Sequence, residues 1–289
     1  VADVTIGVVC SIGIGEARGG RDRNEDNYLV CHRGGVEYLD GERDVRQIGG
    51  GDGALLAVAD GMGGHADGHV ASTTAVRVIA KLYKPGAPRD PVKALVRYLQ
   101  DAHQRLYWKA RDRGPVTMGT TLSVAWIRDG FCTWAQVGDS RIYLFRDSQL
   151  KALTPEHTAN EFARRDGRPQ RPEGEALAQS FIYGSRGLGD NTRLRIEPGR
   201  DASTLALEKG DRLLLCSDGL SGSVDDPSIA DVLRNTPEPQ AAAVALMERA
   251  VTRGSTDNIT VLVVRVDDLP AVGASVDDWD DESDETVMF

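Results

Sequence analysis

The stretch "TLSVAWIRDGFCTWAQVGDSRIYLFRDSQLKAL" (Thr121–Leu153) constrains the fold of this chain more than any other. Leu122–Ile127 and Phe131–Val137 are rich in β-branched and aromatic residues, and the Asp129-Gly130 pair between them is a two-residue hairpin signal. A turn near Gly138-Asp139 leads to a strand near Ile142–Phe145, and a turn at Asp147-Ser148 leads to another strand ending at Leu153. Short strands joined by tight turns pair antiparallel. A last strand is expected at Ile259–Val266.

Helical periodicity interrupts the strands in blocks. Val70, Thr74, Val78 and Leu82 recur every four residues beside Ala71, Ala75 and Ile79, which predicts a helix over Ala66–Tyr83. Leu95, Leu99, Ala102 and Leu106 form a second stripe between Pro91 and Asp112, and a third helix runs from about Pro239 to Thr252, closed by Gly254. Strands and helices that come in blocks, without βαβ units, indicate an α+β protein. "DGERDVRQIGGGDG" (Asp40–Gly53) is polar and glycine-rich and reads as a loop between two strands.

Charge is distributed unevenly. The chain of 289 residues carries a net charge of −10, and all nine acidic residues from Asp267 onward stand in a segment without a basic residue. The remainder is close to neutral. The segment 267–289 has no strand or helix period and is expected to be a disordered acidic tail following a domain over 1–266. Clustered positive charge, the footprint of nucleic-acid binding, is missing, and no apolar run approaches a membrane span. The four cysteines form no CxxC pair, which points away from a zinc site and a disulfide framework and toward reduced thiols in the cytoplasm. The first residues have neither a basic leader nor a small-residue cleavage site, so no signal peptide is expected.

Three aspartates stand at strand ends. "LLAVADG" and "RLLLCSDG" each run apolar residues into Asp60 and Asp218, and Asp257 precedes a strand in "STDNITVLVV". Asp-Gly after a strand is an ordinary turn, and one instance needs no further reading. Three such carboxylates at one rim of antiparallel sheets would repel, and a cation resolves the conflict. Oxygen ligands without histidine or cysteine suit Mg²⁺ or Mn²⁺. Gly61, Gly63 and Gly64 would let the backbone approach an ion, with the Gly61 carbonyl as a ligand. In "RDRNEDNYLV", Glu25 and Asp26 lead into a strand at Tyr28–Cys31, and Arg21 lies four residues before Glu25. By itself this is a charged surface turn. Beside a cation cluster, the guanidinium suits a phosphate.

The order of short strings is more specific than any one of them. "RDRNED", "ADGMGG", "GTT" (119–121), "VGDSRIY", "LTPEHT", "SRGLG", "CSDGL" and "TDNIT" follow one another along the chain. In this order the sequence resembles the PP2C-type, metal-dependent serine/threonine protein phosphatases, especially their bacterial branch, over residues 5–266.

The resemblance implies a four-layer α-β-β-α sandwich of two antiparallel sheets, with a centre for two Mn²⁺ or Mg²⁺ ions at one end. Asp60 would bridge both ions. Asp218 and Asp257 would hold the first, and the Gly61 carbonyl the second, with Glu25 or Asp26 contacting it directly or through water. Asp139, with Asp218, matches the position of a weaker third ion, and Arg21 matches the arginine that grips the substrate phosphate. A hydroxide bridging the ions would attack phosphoserine or phosphothreonine in protein substrates. The implied setting is a monomer opposing a bacterial Ser/Thr kinase and its targets.

Two departures stand out. Met62 replaces the histidine that animal members carry after Asp-Gly, which leaves the general acid unassigned, and Glu156 replaces an aspartate in "LTPEHT". His65 reads as a solvated loop histidine, and Thr154 and His157 as turn anchors. Between Thr158 and Ser185 lies the flap, where Arg164, Arg165, Arg168 and Arg171 read first as a solvated loop, with attraction of acidic or phosphorylated partners or of the acidic tail as the sharper alternative. Two rivals keep the fold: a phosphatase dedicated to one regulatory partner, and a catalytically dead scaffold that binds phosphoproteins.

Overall fold

The structure, a computed structural model, describes residues 2–41, 43–62, 67–86, 88–113, 118–171, 179–181, 194, 196 and 198–270. In chain order the strands are β1 (Asp3–Ser11), β2 (Asn27–His32), β3 (Gly35–Asp40), β4 (Arg43–Ile48), β5 (Ala54–Ala59), β6 (Gly61–Met62), β7 (Gly119–Thr120), β8 (Leu122–Arg128), β9 (Phe131–Val137), β10 (Arg141–Arg146), β11 (Gln149–Ala152), β12 (Ala202–Ala206), β13 (Arg212–Cys216) and β14 (Ile259–Asp268). The α-helices are α1 (Gly68–Ala80), α2 (Pro91–Arg113), α3 (Ala159–Arg165), α4 (Asp218–Ser221), α5 (Asp226–Asn235) and α6 (Pro239–Thr252).

One sheet has the order β1-β14-β13-β10-β11 and the other β12-β9-β8-β5-β2-β3-β4, while β6 and β7 form a separate pair. Every pairing between these strands is antiparallel. Leu56, Val58, Ile142, Leu213, Leu215 and Leu262 pack together between the sheets. Leu55 and Ala57, on the opposite face of β5, pack with Ala75, Ile79, Leu95 and Leu99 from α1 and α2. Leu214, Val261 and Val263 pack with Ile229, Leu233 and Leu246 from α5 and α6. This is the expected α-β-β-α sandwich. Both faces of its central strands are covered, which explains why "ALLAVA" and "LLLC" are continuous apolar runs: no face is left for polar residues.

The turns follow local chemistry. Asp129 and Gly130 have φ of 54° and 83°, and Asp147 and Ser148 have 51° and 61°, the left-handed pair that two-residue hairpins require. Asp40–Gly53, expected as a loop, instead contains β4, which pairs with β3 from Gly35↔Ile48 to Asp40↔Arg43. As the outermost strand it is held by backbone pairing and exposes nearly all its side chains, so it carries no apolar alternation to reveal it. α1 is shorter than expected at both ends, and Ala66 lies outside the described residues. Toward the C-terminal end β14 runs through Asp268, taking in the first two residues of the expected tail, and Asp267 accepts hydrogen bonds from Thr5 and Arg265. The tail from 271 onward lies outside the described residues. Among the described residues no helix is long and apolar enough to cross a membrane.

Candidate metal centre

Register brings the strand-end carboxylates to one rim. β2 pairs with β5 up to Asn27↔Ala59, so Asp26 and Asp60 leave adjacent strands at the same end. In the other sheet Arg141↔Cys216 and Cys216↔Val261 put the Asp139 turn, Asp218 and the segment before β14 side by side. The two sheets face each other, and the sites meet. Asp26, Asp139 and Asp218 all lie close enough to Asp60 to disfavour its ionisation. Asp257 acts in the same way on Asp26 and Asp218.

The electrostatics follow from burial and crowding. Burial first, then Asp26, Asp218 and Asp139, hold the Asp60 carboxyl well above the usual carboxylate range. Contact with Asp218 raises Asp60 further and works the other way on Asp218, whose own ionisation is hindered by burial and by Asp257. Asp26 is pushed up to about 7 by burial, against the pull of two hydroxyl donors. These are Ser217 and Thr260, whose Oγ and Oγ1 each donate to Asp26 Oδ2 at 2.7 Å. Asp139 is pushed up to about 6 by burial and by Asp218.

Glu25 is buried with its carboxylate against Gly68 in the first turn of α1, where helix N–H groups favour negative charge. A Cβ on Gly68 would come within 2.6 Å of that carboxylate. Gly61 is required for a related reason: a Cβ there would meet the carbonyls of Glu25 at 2.3 Å and Gly68 at 2.5 Å. The Glu25 main chain is fixed by Asn258, whose Oδ1 accepts its N–H at 2.9 Å, while Asn258 Nδ2 donates to the Arg23 carbonyl. Arg21 lies against Asp257 in a two-pronged ion pair and is also within electrostatic range of Asp60 and Glu25. The eight expected site residues thus share one rim.

This donor set fits a hard divalent cation. The donors are all oxygen, the carboxyls crowd one another, and Asp218 Oδ1 and Glu25 Oε1 are buried without a hydrogen-bond partner among the described residues. No three acidic, histidine or cysteine side chains among the described residues are arranged as a finished ligand set. Asp60 and Asp218 face each other, and Arg21 occupies both oxygens of Asp257.

Several supporting residues carried little sequence signal. Ser217, Thr260 and Asn258 sit one to three positions from Asp218 or Asp257, and only the pairing of β13 with β14 turns them toward Asp26 and Glu25. Thr154 and His157 do anchor a turn: Thr154 Oγ1 accepts from the Ile142 N–H, and His157 Nδ1 accepts from the Gly138 N–H. Glu156 is paired with Arg141. Met62 lies in β6 opposite Gly119. Gly63, Gly64, His65 and "SRGLG" lie outside the described residues.

The flap arginines differ from expectation. Residues 159–165 form α3, with Thr158 Oγ1 capping its first turn. Arg164 is bonded to Glu161, Arg168 to Asp166, and Arg165 is buried against Asp201 and Glu161. Three of the four cations are therefore matched by acids of the protein itself, and burial places Arg165 out of a partner's reach.

Comparison with known proteins agrees with this geometry. The family model described as protein phosphatase 2C matches residues 44–252. The chain is 31% identical to protein phosphatase PhpP of Streptococcus pneumoniae over 217 residues, 74% of this chain and 86% of that protein. It is 34% identical to the serine/threonine protein phosphatase PstP of Mycobacterium tuberculosis over 218 residues, 74% of this chain and 40% of PstP. The crystal structure of the M. tuberculosis phosphatase superposes with a TM-score of 0.72 at 26% identity, covering 91% of this chain and 99% of that one. The PstP catalytic domain in complex with two manganese ions superposes with a TM-score of 0.69 at 29% identity, over 92% of this chain and 99% of that one. On the sandwich, the rim of carboxylates and a family match spanning most of its length, this chain belongs to the protein phosphatase 2C family.

Proposed function

We propose that this chain is a Mn²⁺- or Mg²⁺-dependent phosphatase that hydrolyses phosphoserine and phosphothreonine in proteins. The observation that carries the reading is the convergence of Asp60, Asp218, Asp139 and Asp26 at one rim, with Arg21 beside them. Asp60, Asp218 and Asp257 would hold the first ion, with Asp60 shared by the second. The Gly61 carbonyl and Glu25 or Asp26 would complete the second, and Asp139 a weaker third. When bound, the cations supply Lewis acidity that activates water and neutralises phosphoryl charge.

The protein's own residues do the rest. Arg21 presents two N–H groups in the geometry a phosphoryl group accepts, as it now does to Asp257. Burial and crowding disfavour the ionised forms of Asp60 and Asp218, and a bound cation would favour them, because carboxylates ligate in their deprotonated form. Ser217 and Thr260 hold Asp26 Oδ2 and leave its other oxygen for the pocket. No cysteine nucleophile enters: Cys216 is buried in β13 among the apolar residues packed under α5 and α6.

Phosphoproteins are the substrate class, and we extend the reading to a partner Ser/Thr kinase, a monomeric state, a cytoplasmic location and a phosphatase domain over 1–266. The relatives named as serine/threonine protein phosphatases support the substrate class. A catalytically dead scaffold is disfavoured because each expected ligand position keeps its acidic side chain.

The test is hydrolysis of p-nitrophenyl phosphate and a phosphothreonine peptide with Mn²⁺, with and without EDTA. Turnover that EDTA abolishes and Asp60→Asn lowers at least about a hundredfold is the expected result. Tight phosphopeptide binding without turnover would favour the scaffold.

A further inference from the structure

Asp60 sits where β5 leaves its sheet. The last β5–β8 pair is Val58↔Ser123, and three residues later Gly61 has crossed to pair with Thr120. A residue at such a crossing loses its ladder partners, and its buried N–H and C=O must be satisfied elsewhere. Two threonines do this. The Asp60 N–H donates to Thr121 Oγ1 at 3.0 Å, and the Asp60 carbonyl accepts from the Thr121 N–H and from Thr120 Oγ1, both at 2.9 Å.

The same Thr121 side chain reaches the turn that carries Asp139. Its Oγ1 lies 2.7 Å from Ser140 Oγ, and the Ser140 carbonyl accepts from Ser123 Oγ at 2.8 Å. On its other side, Thr121 fills the space where a Gly138 side chain would stand: a Cβ on Gly138, whose φ is 112°, would come within 2.6 Å of Thr121 Cβ and Cγ2. Thr121, Ser123 and Ser140 are all buried, so these bonds do not compete with water. One hydroxyl therefore joins the main chain of Asp60 to the residue after Asp139, and one methyl seats the residue before it.

We propose that Thr121 is a positioning residue of the metal centre, its Oγ1 fixing Asp60 relative to the Asp139 turn. The proposal rests on the phosphatase reading above. It assigns no chemistry to Thr121, which acts through Asp60 and Asp139.

The test is Mn²⁺ binding to the full chain without substrate, by titration calorimetry and by the electron paramagnetic resonance signal of free Mn²⁺, with urea unfolding of the metal-free protein in parallel. Thr121→Val keeps the shape and removes the hydroxyl, and is expected to weaken Mn²⁺ about tenfold or more, as loss of an outer-shell partner does. Thr121→Ser keeps the hydroxyl and is expected to stay within about twofold of the original affinity. Ser140→Ala cuts only the tether to the Asp139 turn and is expected to weaken Mn²⁺ about threefold, and it carries the test if Thr121→Val does not fold. A Thr121→Val protein that loses stability yet binds Mn²⁺ as tightly as the original chain overturns the positioning role alone. So does an equal loss in Thr121→Val and Thr121→Ser, which would make the methyl the active feature. An original chain that binds no Mn²⁺ at millimolar concentration overturns the phosphatase reading, and this proposal with it.

Discussion

Arg21 and Asp257, 236 residues apart in the chain, meet in a two-pronged ion pair: Nε donates to Oδ1 at 2.7 Å and Nη2 to Oδ2 at 2.8 Å. One partner is the expected phosphate grip and the other an expected metal ligand. In this arrangement each occupies the binding groups of the other.

On the proposed ligand set, the pair makes Arg21 a competitor of the cation for Asp257. Arg21 is 58% exposed on its side chain, so the contact is weak, of the order of about 1 kcal/mol or less. Arg21→Ala is accordingly expected to tighten Mn²⁺ binding by about two- to fivefold. The same change should weaken inhibition by inorganic phosphate about tenfold, because a charge-assisted, two-bond contact is lost. Calorimetric Mn²⁺ titration and phosphate inhibition of p-nitrophenyl phosphate turnover check the two signs. Mn²⁺ binding that weakens in Arg21→Ala would show that the ion pair does not compete.

A second prediction concerns the base of the flap. Asp201 is fully buried, with Arg165 Nη2 at 2.8 Å and His157 Nε2 at 3.2 Å from its Oδ1. Arg165 is itself only 2% exposed. Asp201→Ala leaves a buried guanidinium with Glu161 as its remaining acidic partner, and is expected to cost about 3 kcal/mol. Asp201→Asn keeps an acceptor and should cost less. Urea midpoints measure both, and a loss below about 1 kcal/mol in Asp201→Ala would mean that α3 reorganises to expose Arg165.

The thiols give a prediction in pH. Burial first, then Asp211, pushes Cys132 up to about 12 from an ordinary 9.0, and burial also raises Cys31. The folded state therefore keeps a proton that the unfolded state releases above pH 9. Between about 9 and about 12 the folded chain binds more protons, so stability falls as pH rises through that window and is unaffected below it. At pH 8 both thiols are expected to label with iodoacetamide only after unfolding. Labelling of Cys132 in the native protein at the rate of a free thiol would contradict its burial.

Much of this was legible along the chain because burial on two faces writes itself into composition. β5 and β13 read as strands because neither face touches water, and the Asp-Gly pairs at 60–61 and 218–219 marked where each run stops. The hairpin at Asp129-Gly130 was legible because few residue pairs tolerate its backbone. β4 was not, since an edge strand needs only its main chain. The pairing of the flap arginines was not legible, because Glu161 and Asp166 lie close to them in the chain without a signal of contact, and Asp201 arrives from the turn before β12.

The amino-acid order alone determined the class of fold, the family resemblance and the identity of the acidic residues, because each is carried by a local pattern of polarity, turn chemistry or spacing. Tertiary structure decided which oxygens are taken and which are left. That Thr121 ties Asp60 to Ser140, that Ser217 and Thr260 share one oxygen of Asp26, and that Arg21 rests on Asp257 depend on register between strands far apart in sequence. Register is settled by the packing of whole faces, and no short stretch of the chain contains it.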